Sequence, residues 1–289
     1  MFDIILNPSS AKGGSTLAFE KVKAVLDERG IEYTVHETDH PLHAKEITAE
    51  LNKRDHTDLI VMGGDGTLNE VLNGITDFEK INIGIISCGT GNDFIRAAGI
   101  PSDPVEAINL ILNNNIVYSD YLDLGHRRAI NCTGAGMDVD VLVRYGKMKA
   151  FKGVAKYYVS LILTLIECKF HKIALEVNGE RHEKSVFMIA AANGTCIGGG
   201  MKISPHSITD DGKLNVVLIN EMPKYKILPT LIKFLNGGKH IESPYTEEYL
   251  ADSVKIEVLD DGCTEVDGEV IENKVIDCRV VHNVLRIFK

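Results

Sequence analysis

The sequence predicts an α/β protein: an N-terminal Rossmann-like parallel α/β domain over residues 1–125, followed by a C-terminal antiparallel β-sandwich domain over residues 126–289. Three observations predict it. Four β-rich apolar runs, each followed by a helical pattern, fill the first part, and strand–helix alternation builds a parallel sheet. After about Leu124 the rhythm changes to strands bounded by Gly, Asn or Asp, as in antiparallel sandwiches. A length of 289 residues also suits two domains better than one.

The elements follow in order. FDIIL opens the chain with no basic region ahead of it, so it reads as a first strand and not as a signal peptide. A helix through FEKVKAVLDERG comes next, then YTVHET with HAKEITAELNKR, DLIVM with TLNEVLNGI, and INIGIIS with DFIRAAG. Parallel sheets bind ligands beyond the carboxyl ends of their strands. Each of these four ends carries a polar loop: Asn7 to Ser10, Thr38-Asp39, Gly63 to Thr67, and Gly89 to Asp93. In the second part the strands are KIALEVNG, KSVFMIAAANG, KLNVVLIN, SVKIEVL and RVVHNVLRIF. One long helical pattern, roughly Asp140 to Cys168, and a shorter one, Lys224 to Asn236, interrupt them. The most apolar stretch, Tyr157 to Ile166, falls short of the ~20 residues of a membrane-spanning helix.

Composition narrows the function. With 31 Lys and Arg against 41 Asp and Glu, the net charge is −10, which argues against broad nucleic-acid binding. The six cysteines form no CxxC pair and read as buried, reduced thiols of a cytoplasmic protein. Neither GxxxxGK[ST] nor GxGxxG occurs, which disfavours P-loop and dinucleotide-fingerprint enzymes. His36, His40 and His43 invite a metal reading, but Pro41 interrupts a common helical face, leaving a loop-and-cap role. Lys149, Lys152 and Lys156 fall on one face of the long helical pattern, either a solvated face or a contact with an anionic bilayer.

In LIVMGGDGTLNEVLNGI, three glycines and an aspartate stand between a strand and a helix. Backbone N–H groups of such a loop close around an anion, and the helix N-terminus adds favourable partial charge. Phosphate is the natural guest. The plainer account is a tight turn with Thr67 and Glu70 as a capping box. Asp65 resists that account, because a carboxylate among phosphate-directed amides calls for a divalent cation. In VDGE, Asp267 and Glu269 are two apart, sharing one face of a strand, although D-G alone is also a hairpin signal.

With these motifs in place, the chain resembles the soluble diacylglycerol kinase and lipid kinase family, related to sphingosine and ceramide kinases and, through GGDGT, to NAD kinases. The resemblance runs in order through NPSSAKGG, the Thr38 loop, GGDGTLNEVLNG, GTGNDFIRAAGIP, LDLG, NGTCIGGGMKISPHSITDDGKLNV and VDGE. It implies ATP lying against Asn7, Ser9, Ser10, Ala11, Thr38, Gly63, Gly64, Asp65, Gly66, Thr67, Leu68, Asn69, Glu70 and Thr90. It implies a water-linked Mg²⁺ network on Asp65, Asp93 and Asp123, and a second, structural Mg²⁺ on the Asp211 carboxylate and the carbonyls of Ile208 and Lys213. At that second site an Asx turn would satisfy D-D-G with no metal. The resemblance points to VDGE as the catalytic base, Asp267 favoured and Glu269 supporting it, the reverse assignment remaining open. Ala11, Ser207 and Asn215 depart from the usual pattern.

The expected activity is an ATP- and Mg²⁺-dependent lipid kinase, foremost one converting diacylglycerol to phosphatidic acid. The alternatives are an NAD kinase, a kinase of a sphingoid or monoacylglycerol, and a binding protein without turnover. The expected partners are ATP, a lipid at a membrane surface and a second copy of the chain, with no nucleic acid. The expected location is the cytoplasm, peripheral at the inner face of the membrane.

Overall fold

The computed structural model describes residues 1–149 and 153–289 and divides into two compact units. The first comprises Met1–Tyr121, Ile208–Gly212 and Val281–Lys289; the second, Leu122–Ser207 and Lys213–Val280.

In the first unit the strand–helix alternation is realised. The strands are β1 (Phe2–Leu6), β2 (Tyr33–Glu37), β3 (Thr57–Gly63) and β4 (Ile81–Ser87). Their helices are α1 (Gly14–Glu28), α2 (His43–Leu51), α3 (Asp65–Gly74) and α4 (Asp93–Ala98), with α5 (Pro104–Leu112) after them. The strands are parallel in the order β2-β1-β3-β4. Both faces of such a sheet are covered, so its strands read as continuous apolar runs. Ile4, Ile60 and Met62 enter one core with Val22, Leu26 and Ile108, while Ile5, Leu59 and Val61 are buried on the other face. Because the order reverses at β1, the crevice between β1 and β3 is a topological switch point, where open α/β sheets place their ligands.

The second unit is antiparallel. It holds β6 (Arg128–Ala129), β7 (Cys132–Gly136), β8 (His171–Val177), β9 (Glu180–Ala192), β10 (Leu214–Asn220), β11 (Thr246–Ala251), β12 (Ser253–Val258), β13 (Thr264–Val266) and β14 (Glu269–Ile271). Strand β5 (Ile116–Asp123) ends in this unit and β15 (Val275–Phe288) begins there. The period of two appears in β10: Leu214, Val216 and Leu218 enter the core among the strands. Val217 and Ile219 enter a second core beneath α6 (Met137–Lys147), α7 (Gly153–Glu167) and α8 (Lys224–Leu235).

Two sequence expectations are corrected. RVVHNVLRIF is not purely a sandwich strand: Ser253 to Glu257 pair antiparallel with Arg279 to Val275, but Val281–Lys289 belong to the first unit, where Ile287 pairs parallel with Ile83. Asn283 turns the strand at a φ of 53°, and the apolar Phe288 then fills the core under α1 and α5. The long helical pattern from Asp140 to Cys168 is two helices, because the backbone at Met148 is extended. They pack as a hairpin in which Arg144 bonds Thr164 at 3.0 Å and Glu167 at 2.5 Å. Consequently Lys149 precedes α7, Lys152 lies outside the described residues, and the Lys156 ammonium stacks 4.4 Å from the Tyr145 ring centre. The cysteines are free, all but Cys263 buried.

Candidate active site

The four strand ends of the first unit come to one edge. Leu6 is in register with Glu37 and Met62, and Gly63 with Ser87, so Asn7, Thr38, Gly64 and Cys88 leave the sheet together. The first and third loops are tied at the switch point: Asn7 Nδ2 donates to Thr67 Oγ1 at 2.9 Å. The third and fourth pack backbone to backbone. A Cβ on Gly64 would lie 3.2 Å from Gly89 Cα and 3.6 Å from Ser10 Oγ, and one on Gly89 only 2.6 Å from Gly64 Cα. Two glycines are therefore required for loop–loop approach, before any ligand is considered.

Helix α3 starts at Asp65 with Gly64 as its N-cap, and no side chain caps it. The Thr67–Glu70 capping box does not form. Thr67 is buried against Asn7, and the Glu70 carboxylate instead accepts the N–H groups of Leu42 (3.0 Å) and Ala44 (3.2 Å), capping α2. Among the described residues no side chain caps the start of α3, the arrangement that favours a phosphate.

Asp65 is the charged group of this cradle. Its Oδ2 accepts Asn92 N–H at 2.6 Å and its Oδ1 accepts Asp93 N–H at 2.9 Å. Even so, burial first and the charge of Asp93 second hold its carboxyl above the usual range, against those amides. Asp93 is itself buried. A half-buried carboxylate raised by the charge of a buried one beside it fits a divalent cation, which would remove the repulsion. Of the remaining sequence-predicted contacts, Ser9 and Thr90 are exposed, Ser10 and Thr38 half-buried, and Leu68 and Asn69 buried. Ala11 lies in the short turn Ser10–Gly13.

The second unit carries its own carboxylate centre. Asp267 sits between β13 and β14 at a φ of 47°, a conformation Asp tolerates better than most residues. Its Oδ2 accepts Ile130 N–H at 2.8 Å; its Oδ1 accepts Asn131 and Cys132 N–H at 2.9 and 3.0 Å. The amides that hold Asp267 are held in turn from NGTC: Asn193 and Gly194 N–H donate to Asn131 O, Asn193 Nδ2 donates to Ile130 O, and Asn131 Nδ2 to Cys196 O. Sequence patterns alone do not single out these supporting residues. The available signal is the small-residue strand CTGAG, which pairs with Met188 to Ala192 just before NGTC.

Below Asp267, the buried Glu265 carboxyl accepts Gly268 N–H at 2.6 Å, closing the same turn. Burial, then the charges of Asp138 and Asp267, raise Glu265 well above the ordinary carboxylate range. Asp138, whose Oδ1 is buried without a hydrogen-bond partner among the described residues, is pushed by burial up to about 6. His171 bonds Asp140 (2.9 Å) and Asp260 (3.1 Å) through its two ring nitrogens. The Asp140 bond, against burial and with Asp260 helping, pushes His171 up to about 9.

Glu269 is not joined to Asp267; it is exposed and pairs with Arg127 at 2.6 Å. Asp123, in the second unit, pairs with Arg279 at 2.8 Å. Against the effect of burial, the Arg279 bond, Gly125 N–H and the charges of Arg279 and Arg128 hold Asp123 below the usual range. In the 208–212 segment Ile208 and Asp211 are exposed. The turn is closed by the fully buried Asp120, whose Oδ2 accepts Gly212 N–H at 2.7 Å. Lys213 pairs with Asp252. Among the described residues, Asp39, His40 and His43 are the one group of three or more ligating side chains within reach of a single ion. The two imidazoles are stacked nearly parallel, 4.4 Å between centres, so their in-plane lone pairs do not converge.

A parallel sheet with glycine- and acid-bearing loops at its switch point, and an antiparallel unit with an Asp held on three amides, fit a phosphotransferase. Comparison with known proteins narrows it. Residues 2–124 match the diacylglycerol kinase catalytic domain and residues 131–289 the YegS C-terminal NAD kinase beta sandwich-like domain. The chain belongs to the diacylglycerol kinase family. It is 30% identical to a diacylglycerol kinase of Staphylococcus aureus (strain bovine RF122 / ET3-1) over 273 residues, 92% of this chain and 85% of that protein. It is 26% identical to one of Bacillus subtilis (strain 168) over 269 residues, 92% and 88% of the two chains. A solved diacylglycerol kinase structure from Bacillus anthracis str. Sterne superimposes with a TM-score of 0.73 at 20% identity, covering 99% of this chain and 96% of that one. A second structure from that organism gives 0.83 at 22%, covering 99% and 94%. At such identities the structural likeness establishes the fold.

Proposed function

We propose that the protein transfers the γ-phosphoryl group of ATP, with Mg²⁺, to the hydroxyl of diacylglycerol, giving phosphatidic acid. The observation that carries this reading is the Asp65–Asp93 pair at the uncapped start of α3, held among the backbone of Gly64, Gly89 and Gly91. Bound Mg²⁺ would neutralise charge on the phosphates, and phosphoryl transfer needs chiefly that and alignment. Asn7, Ser9, Ser10, Thr38, Thr90 and the α3 amides would line the nucleotide, with Asp123 as a further acid toward the metal. Asp211, with the Ile208 and Lys213 carbonyls, would serve a separate structural cation.

Asp267 would accept the hydroxyl proton as the acceptor oxygen bonds to the γ-phosphorus and the bond from phosphorus to ADP breaks. Its three amide bonds fix its position, and a loose transition state asks little basicity of it. The curated relatives carry the name diacylglycerol kinase, which favours this lipid over a soluble dinucleotide. The decisive test is labelled phosphate transfer from ATP to diacylglycerol, sphingosine, ceramide, undecaprenol, monoacylglycerol and NAD in parallel. Diacylglycerol is expected to accept label fastest; preferential labelling of NAD would replace this reading with the NAD kinase one.

A further inference from the structure

Helix α8 has two apolar stripes where a surface helix needs one. Ile227, Thr230 and Phe234 are its buried residues, Ile227 and Phe234 in the core beneath α6 and α7. Tyr225, Leu228, Ile232 and Leu235 form a second stripe at spacings of three and four, each more than half exposed. At about 100° per residue, Lys224 borders this outer stripe on one side, and Lys233 and Lys226 lie about 80–100° beyond Tyr225 on the other. The helix KYKILPTLIKFL has three lysines and no acid, in a chain whose net charge is −10. Beside it, α7 exposes Tyr158, Ile162 and Ile166, four residues apart. An open groove of about 250 Å³, lined by Leu165, Ile166, Leu228 and Leu231 with Lys224 at its margin, lies between the two helices.

We infer that the outer face of α8, with the adjoining face of α7, docks on an anionic lipid bilayer. A face of large apolar side chains would cost solubility if left in water. The three lysines distinguish the occupant. Flanking cations bordering an apolar stripe that includes a tyrosine are the pattern of a helix lying in the headgroup plane, its stripe among the acyl chains and its ammonium groups on lipid phosphates. No helix among the described residues is long and apolar enough to cross a membrane, so the contact is interfacial. The assignment rests on the lipid-kinase reading, since a water-insoluble acceptor requires presentation at a surface.

Sedimentation with phosphatidylcholine vesicles, with and without about one third phosphatidylglycerol, tests it. The wild type should bind the anionic vesicles, with binding falling as salt rises. Leu228→Glu/Ile232→Glu and, separately, Lys224→Glu/Lys226→Glu/Lys233→Glu should each weaken that binding by at least about tenfold. Both variants should still phosphorylate a short-chain diacylglycerol dispersed in detergent. Unchanged vesicle binding in both would overturn the docking face and leave the kinase reading standing. The docking face is overturned too if the first variant only converts a dimer to a monomer, since a second copy would then be the occupant. If the wild type phosphorylates no diacylglycerol while the variants still lose vesicle binding, the kinase reading fails and the docking face stands.

Discussion

Asp65 and Asp267 are built alike and environed differently. Each is a carboxylate accepting backbone N–H groups from a neighbouring loop, those of Asn92 and Asp93 for Asp65 and those of Ile130, Asn131 and Cys132 for Asp267. Beside Asp65 stands the buried Asp93, and burial together with that neighbour raises Asp65 despite the amides. Beside Asp267 stands the buried Glu265, raised by burial first and then by the charges of Asp138 and Asp267. The lesson is that the same amide grip does not by itself decide which acid is raised. At the Asp65 centre the amide-held carboxylate is itself the raised group, whereas at the Asp267 centre the raised group is the neighbour, Glu265.

The sharpest break in that comparison is a matched pair of substitutions. Asp267→Asn should lower turnover by about 10²- to 10⁴-fold, the range of a lost general base, with ATP binding retained. The variant also loses charge-assisted bonds to three amides, so its melting temperature should fall as well. Near-normal turnover refutes the role, and a larger loss in Glu269→Gln reverses the order of the two acids. Asp65→Asn should instead raise the Mg²⁺ concentration needed for activity by about 10- to 100-fold. An unshifted Mg²⁺ titration would detach Asp65 from the metal.

Smaller effects separate packing from ligand contact among the glycines. A Cβ on Gly89 would meet Gly64 Cα at 2.6 Å and one on Gly64 would meet Gly89 Cα at 3.2 Å, whereas one on Gly66 meets nothing within 4 Å. Gly89→Ala should therefore destabilise most and Gly64→Ala less. Gly66→Ala, inside α3, should stabilise by about 0.5–1 kcal/mol through helix propensity. If the α3 amides face phosphate, Gly66→Ala still weakens ATP binding while raising the melting temperature. Thermal denaturation and nucleotide titration on the three variants decide it.

What the sequence disclosed was whatever depends on local pattern. FDIIL, YTVHET, DLIVM and INIGIIS announced themselves by apolar runs ending in polar loops, and those loops do leave one sheet edge together. GGDGT and VDGE were legible because glycine and acid at fixed spacing have few structural uses. Long-range partnership was not. Nothing local in TLNE says that Glu70 caps α2 from another helix, and the capping-box spacing pointed to the wrong partner. Nor does ENKVIDCRVVHNVLRIFK reveal that its last residues leave one unit for the other; alternation continues through Asn283 while the partner strand changes. The grip on Asp267 leaves no mark in the sequence because main-chain amides supply it, and every residue but proline has one.

The finest test addresses Glu265, the raised neighbour of Asp267. Glu265 is 3% exposed, and its folded-state proton is held to higher pH than in the unfolded chain, by burial first and then by Asp138 and Asp267. A raised folded value means no penalty below the unfolded carboxylate range, near pH 4.3. As pH rises from there through neutrality, the unfolded chain ionises freely while the folded one resists, so stability is lost with rising pH. Glu265→Gln keeps an acceptor for Gly268 N–H and carries no titrating proton. The variant should match the wild type near pH 4 and exceed it by a few degrees in melting temperature near pH 8. A wild type at least as stable as the variant at pH 8 would mean that Glu265 is a stabilised charge, and the contrast between the two acid centres would then lose its second half.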